Sequence, residues 1–81
     1  MELIFSGRAR RDYNSLPEVV RKTANKQFDL LLVNFMHPSL RSKKYSESKD
    51  VWQGRVNKNY RFYFKITSDI YEIIAILKHS K

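Results

Sequence analysis

Three side chains in the C-terminal part of this sequence are of the types that phosphate and proton chemistry use: Arg55, Arg61 and His79. A guanidinium keeps its charge at any physiological pH and can meet a phosphate with two parallel hydrogen bonds. An imidazole titrates near neutrality, so it can take or give a proton. Around them Lys43, Lys44, Lys58 and Lys65 add positive charge, and Tyr63 adds a ring. Stacking on such a ring is worth roughly 1–3 kcal/mol per base. Each of these residues also has an ordinary reading: the arginines as sheet-surface charges, the lysines as solvated ones, Tyr63 as a sheet-rim tyrosine, His79 as part of a frayed tail.

The elements that must position them lie in 51–79, VWQGRVNKNYRFYFKITSDIYEIIAILKH, whose pattern predicts three strands at about 51–57, 60–67 and 70–78. Successive side chains of a strand point to opposite faces. The even positions Trp52, Val56, Tyr60, Phe62, Phe64, Ile66, Ile70, Ile74 and Ile76 then form an apolar face. Gln53, Arg55, Asn57, Arg61, Tyr63, Lys65 and His79 share the other, which carries cations, a phenol and an imidazole and no second core. Register decides whether this holds, because a one-residue slip exchanges the faces. A three-residue connection at Asn57-Lys58-Asn59 sets Arg55 near Arg61, and burial favours it over a two-residue turn. A three-residue connection at 67–69 sets Ile66 opposite Ile70 and ends the last strand with His79 beside Asn57 and Arg55. A two-residue Ser68-Asp69 turn competes with it, since Ile73 and Leu77 lie on the odd side of that strand.

The rest of the chain supplies a cover for the apolar face. Residues 2–5, ELIF, read as an opening strand that joins the sheet, and Ser6 can cap a short helix through 8–14. Pro17 suits the first turn of a second helix, with Glu18 complementing its dipole. Val20, Ala24, Phe28, Leu31 and Phe35 recur at helical spacing as a buried stripe, and the helix should stop before Pro38. The segment 37–50, HPSLRSKKYSESKD, reads as a long exposed basic loop. The expected fold is α+β: an N-terminal strand, a two-helix hairpin, then a three-stranded antiparallel meander, forming one sheet with the helices on one face.

With 81 residues, one domain spanning 1–81 is expected. The absence of cysteine removes disulfides and thiolate metal sites. The first apolar run is three residues, far short of a secretory signal, and no stretch has the length of a membrane span. A cytoplasmic protein without a membrane role is the expectation. Sixteen lysines and arginines against eight acids give a formal charge of +8, concentrated in 41–65, where eight cations face only Glu47 and Asp50. Such a bias fits a solvated face or an anionic partner such as nucleic acid.

The stretch HPSLRSKK, then Trp52-x-x-Arg55-Val56, the strand Tyr60-Arg61-Phe62-x-Phe64 and a last strand stopping at a histidine resemble the RelE/ParE superfamily of toxin-antitoxin toxins. The resemblance covers essentially the whole chain. It implies a small sheet whose open face docks in the ribosome and cleaves mRNA without a metal or small-molecule cofactor, restrained by a cognate antitoxin. By position Arg55 matches an arginine of YoeB-like nucleases, Arg61 the arginine of the Tyr-Arg pair of RelE-like ones, and His79 the terminal-strand histidine of YoeB-like members; all three are implied to be catalytic. Lys43 and Lys44 match the phosphate-steering lysines of RelE-like toxins. The chain also departs from the pattern. No acid stands at 37–40, where YoeB-like enzymes carry a glutamate base, Glu47 comes too late to replace it, and Ser80 follows His79 where those enzymes have a tyrosine. The superfamily also includes ParE-like gyrase inhibitors, so the resemblance leaves a gyrase inhibitor and a non-catalytic basic binding module as alternatives to an mRNA endonuclease.

Overall fold

A computed structural model describes residues 1–79. Five strands form one sheet: β1 (Glu2–Phe5), β2 (Lys43–Ser46), β3 (Val51–Arg55), β4 (Tyr60–Thr67) and β5 (Ile70–Lys78), in the order β1-β5-β4-β3-β2. β1 runs parallel to β5, and the other pairs are antiparallel. Two helices lie between β1 and β2 in the chain, α1 (Gly7–Asn14) and α2 (Glu18–Val33), followed by a single 3-10 turn at Pro38–Leu40. This is the expected α+β arrangement with one strand more. β2 arises within the segment read as a loop, which hid it because its side chains are mostly polar and charged. Lysines on a short strand are a common way of blunting a sheet edge against further pairing.

Both helices begin where anticipated, but α2 ends at Val33, earlier than Pro38 requires. Ser6 caps α1, its hydroxyl accepting from Ala9 N at 3.0 Å. Pro17 stands immediately before α2 and its carbonyl accepts from Arg21 N, while Asn34 ends the helix in an extended conformation. On α2, Ala24, Phe28 and Leu31 are buried and Val20 packs against them from the rim, whereas Phe35, expected to continue the helical stripe, lies two residues beyond the helix and packs against the same core from the turn. Phe28 meets Phe62 edge to face at 5.1 Å, and Phe35 meets Trp52 at 5.3 Å, so the helices cover the even side of β3 and β4 as expected.

α1 has a second task. β1 pairs with β5 only as far as Ile73, and α1 then lies along the exposed edge of β5. There the Ser6 hydroxyl donates to Ile74 O at 3.1 Å, and the Asp12 carboxylate accepts from Ile76 N at 3.0 Å. Backbone groups left without a strand partner are thus satisfied by side chains.

The last strand corrects the parity. The turn after β4 is the two-residue one, Ser68-Asp69, with Ser68 at φ 49°, so Thr67 pairs with Ile70 and Ile66 with Tyr71. That puts Tyr71 and Ile73 in the core in place of Ile70 and Ile74. A bulge follows: Phe64 pairs with Ile73 and Tyr63 with Ala75, leaving Ile74 as the extra residue. Beyond it the alternation is reset, and Ile76 is buried as expected. The sequence pattern cannot show this, because β5 is apolar at nearly every position from Ile70 to Leu77.

Candidate functional site

Asn57 builds the turn that presents the two arginines. Its side-chain oxygen accepts from the backbone N–H of Asn59 at 2.8 Å and of Tyr60 at 2.9 Å, fixing the connection between β3 and β4. Arg55 and Arg61 are thereby directly opposite each other on the uncovered face, as the register argument requires. Arg61 is anchored in turn, its Nη1 donating to Asn57 O at 2.6 Å and Tyr60 O at 3.0 Å. A guanidinium has five N–H donors. Those on Nε and Nη2 of Arg61 meet no acceptor among the described residues.

Arg55 is positioned from beneath. Gln27 lies on the buried side of α2, 5% exposed, and its Nε2 donates to Arg55 O at 2.8 Å and to Ser39 O at 3.2 Å. The Ser39 hydroxyl returns a bond to Gln27 Oε1 at 3.2 Å. One buried amide therefore ties α2, the 3-10 turn and the end of β3 together. The residue after that turn, Arg41, has φ 48°. A left-handed conformation costs a residue with a Cβ about 1–2 kcal/mol, so a third arginine sits where glycine or asparagine would fit at less cost. Arg55 has its pKa lowered, first by desolvation and then by the charges of Arg41 and Arg61. Among the described residues none of the three has a carboxylate within ion-pair distance. Like charges facing each other across strands are unfavourable, and an anion bound between them would relieve the repulsion.

His79 continues β5 by one backbone bond, donating to Asn59 O at 2.6 Å. Leu77 pairs with Arg61, so alternation places His79 on the arginine face, one strand over and two residues on. That diagonal is about 7–8 Å, within reach of long side chains. The imidazole is exposed and makes no hydrogen bond to a described residue.

The other candidates separate. Lys43 pairs with Gln53, Gln53 with Tyr63 and Tyr63 with Ala75, a row across the open face next to the arginine row. Lys44 is on the helix side instead, opposite Trp52, with its ammonium 5.0 Å from the indole centre. It is held by Asp50 at 2.8 Å and Glu47 at 3.7 Å, and its pKa is raised chiefly by the Asp50 hydrogen bond. Lys58 is exposed in the turn between β3 and β4. Lys65 stands opposite Glu72, remote from the arginine row.

One expectation about this face is corrected. Tyr63 packs edge to face on Tyr45 at 4.8 Å, and with Val51, Ile74, Ala75 and Leu77 they line an apolar trough rimmed by Arg8 and Lys49. The uncovered side is thus divided, cationic at one end and apolar beside it. The Tyr63 phenol has its pKa raised by burial and by Tyr45, and Arg61 pulls it partly back, so the two ends adjoin. The bulge at Ile74 and the strand carrying Tyr45 create the trough, and neither was read from the sequence. Arg41, Asn57 and Gln27 were likewise not singled out as site residues. Gln27 did leave a signal: a polar residue within an apolar helical stripe needs a buried partner.

No protein-family model and no curated protein matches the sequence. Solved structures do match in fold. A YoeB/ParE toxin from Agrobacterium tumefaciens superposes with a TM-score of 0.83 at 14% identity, over 99% of this chain and 100% of the other. The YoeB dimer from Staphylococcus aureus gives 0.81 at 17% identity, over 100% and 98% of the two chains. The archaeal RelE–RelB complex from Pyrococcus horikoshii gives 0.81 at 13% identity, over 99% and 96%.

Proposed function

We propose that this chain, which has the fold of the RelE and YoeB/ParE toxins, is the toxin of a toxin-antitoxin pair and cleaves mRNA on the ribosome without a metal. The observation that carries this is the juxtaposition of Arg55 and Arg61 on the uncovered face, with Arg41 adding to their field and no carboxylate paired to them among the described residues. Such cleavage needs the 2′-hydroxyl to lose its proton and attack the neighbouring phosphorus in line. The P–O5′ bond then breaks, leaving a 2′,3′-cyclic phosphate, and the departing 5′-oxygen takes a proton. Arg55 and Arg61 hold the non-bridging oxygens as negative charge gathers there. His79 serves proton transfer, and Tyr63 stacks on a neighbouring base, with Lys43 and Lys58 drawing the strand in.

Several solved neighbours are complexes, among them the E. coli RelBE toxin-antitoxin complex and the YoeB–YefM complex from Staphylococcus aureus. A cognate antitoxin is accordingly the partner proposed for this chain. Induced expression should arrest growth and produce new mRNA 5′ ends within coding sequences, mapped by primer extension. Arg61→Ala should remove both while retaining the native circular-dichroism spectrum. Growth arrest with intact mRNA and a DNA-damage response would instead indicate gyrase, and undiminished arrest by folded Arg61→Ala protein would take that residue out of the mechanism.

A further inference from the structure

Arg55 lies on the open face and also on the wall of a second depression around the end of the sheet. There α2, the 3-10 turn and the end of β3 enclose a cleft of about 530 Å³, lined by Lys26, Arg41, Arg55, Thr23, Ser39 and Gln27 among others. Its floor is already satisfied. The Gln27 amide and the Ser39 hydroxyl are bonded to each other and to backbone carbonyls, and the Thr23 hydroxyl donates to Val19 O at 3.2 Å. The groups left to meet a ligand are three cations, Lys26, Arg41 and Arg55. No acid lines the cleft, and none of the three forms an ion pair among the described residues. Arg41 lines it from a left-handed backbone conformation that residues other than glycine seldom adopt.

We propose that this cleft is a second phosphate site, taking the backbone phosphodiester next along a single RNA strand whose preceding phosphate lies between Arg55 and Arg61. The strand then turns from the open face around the sheet end, following Arg61, Arg55, Arg41 and Lys26 in order. The inference deepens the nuclease reading and rests on it for the identity of the strand. The cleft makes no base contact, so its contribution is independent of sequence and falls with salt.

The test is equilibrium binding of the full chain to a 2′-O-methyl oligoribonucleotide, which cannot be cleaved, followed by fluorescence anisotropy across a salt series. A single-strand phosphate contact carries a slope of about 0.7 in log affinity against log salt, or about five-fold at 0.1 M relative to 1 M. Lys26→Gln and Arg41→Gln should each lose about that factor and that slope for every sequence tried. Lys22→Gln is the control: it removes the same charge one turn earlier on α2, where Lys22 faces Glu18 at 3.9 Å. It should change neither quantity. Equal losses in all three variants would show a diffuse charge effect and overturn the cleft, as would a wild-type chain that does not bind the oligonucleotide at low salt. If the wild type leaves mRNA intact on programmed ribosomes but the variants still separate from Lys22→Gln in binding, the nuclease reading fails and the cleft stands.

Discussion

Gly54 and Arg55 are neighbours in β3, yet they belong to two different environments. On the covered side, the ring of Phe62 lies so close over Gly54 that a Cβ there would collide with the ring. On the uncovered side, Arg55 faces Arg61. One side is filled to contact by helix and aromatic rings, and the other, at its cationic end, gathers like charge with no carboxylate paired to it among the described residues. Burial of apolar area stabilises the first, whereas the second contributes nothing comparable and costs some repulsion. A sheet so arranged keeps most of its stability and the proposed chemistry on opposite sides of one backbone, and each should be removable without the other.

Phe62→Ala against Arg55→Ala is the most severe test of that division. Removing the fully buried phenylalanine should cost about 3–5 kcal/mol in urea unfolding. Removing the arginine should leave stability within about 0.5 kcal/mol. Cleavage should respond the other way, Arg55→Ala losing about 10²–10³-fold in rate, the usual size for a lost transition-state donor. A large stability loss in Arg55→Ala would mean that the arginine side chain helps hold the fold and that the division is false.

Gly54→Ala probes the same boundary with a smaller change. The added methyl must displace a ring already packed on Phe28 and Phe64, so about 1–3 kcal/mol of destabilisation is expected. Because Arg55 moves with its neighbour, the variant should also weaken cleavage, but in proportion to the loss of folded protein. Unchanged stability with reduced cleavage would place the glycine with the chemistry instead.

The covered side is also the side the sequence displays. Alternation in β3 and β4 and the stripe on α2 each follow from burial on one face, so Trp52, Phe62, Phe64, Ala24, Phe28 and Leu31 could be placed before any coordinates. β5 could not be placed this way, since an unbroken apolar run has no parity. A two-residue turn and a bulge, both backbone events, decided that Tyr71 and Ile73 go under the helices while Ile74 and Ala75 line the trough on the open side. On the open side the Arg55–Arg61 pairing was legible because it depends only on the length of the Asn57 turn. Arg41 and the Tyr45 strand were not, because the segment 37–50 folds back by tertiary pairing with β3, which its polar composition does not signal. Lys43 and Lys44 show the same limit: adjacent in sequence, they were read together, but adjacency in a strand puts them on opposite faces.

The smallest effect expected bears on whether the uncovered side is one surface or two. Tyr63 on that side and Tyr71 in the core both have raised phenol pKa values, but for different reasons: Tyr71 by burial alone, Tyr63 by burial and Tyr45, with Arg61 acting against them. A phenol with a raised pKa holds its proton more tightly when folded. Its contribution to stability is therefore complete below the unfolded value of about 10 and is lost as pH rises through the folded one. Stability should accordingly decline on the alkaline side, and Lys44, also raised, adds to the decline in the same direction. Replacing Arg61 by alanine removes a positive charge that favours the Tyr63 phenolate, so the Tyr63 pKa must rise further while that of Tyr71 stays where it was. Titration of the ring carbons by NMR resolves the two tyrosines. A Tyr63 value untouched by Arg61→Ala would mean that the cationic end does not reach the apolar trough, and a strand bound between the arginines would then have no reason to lay its next base on that ring.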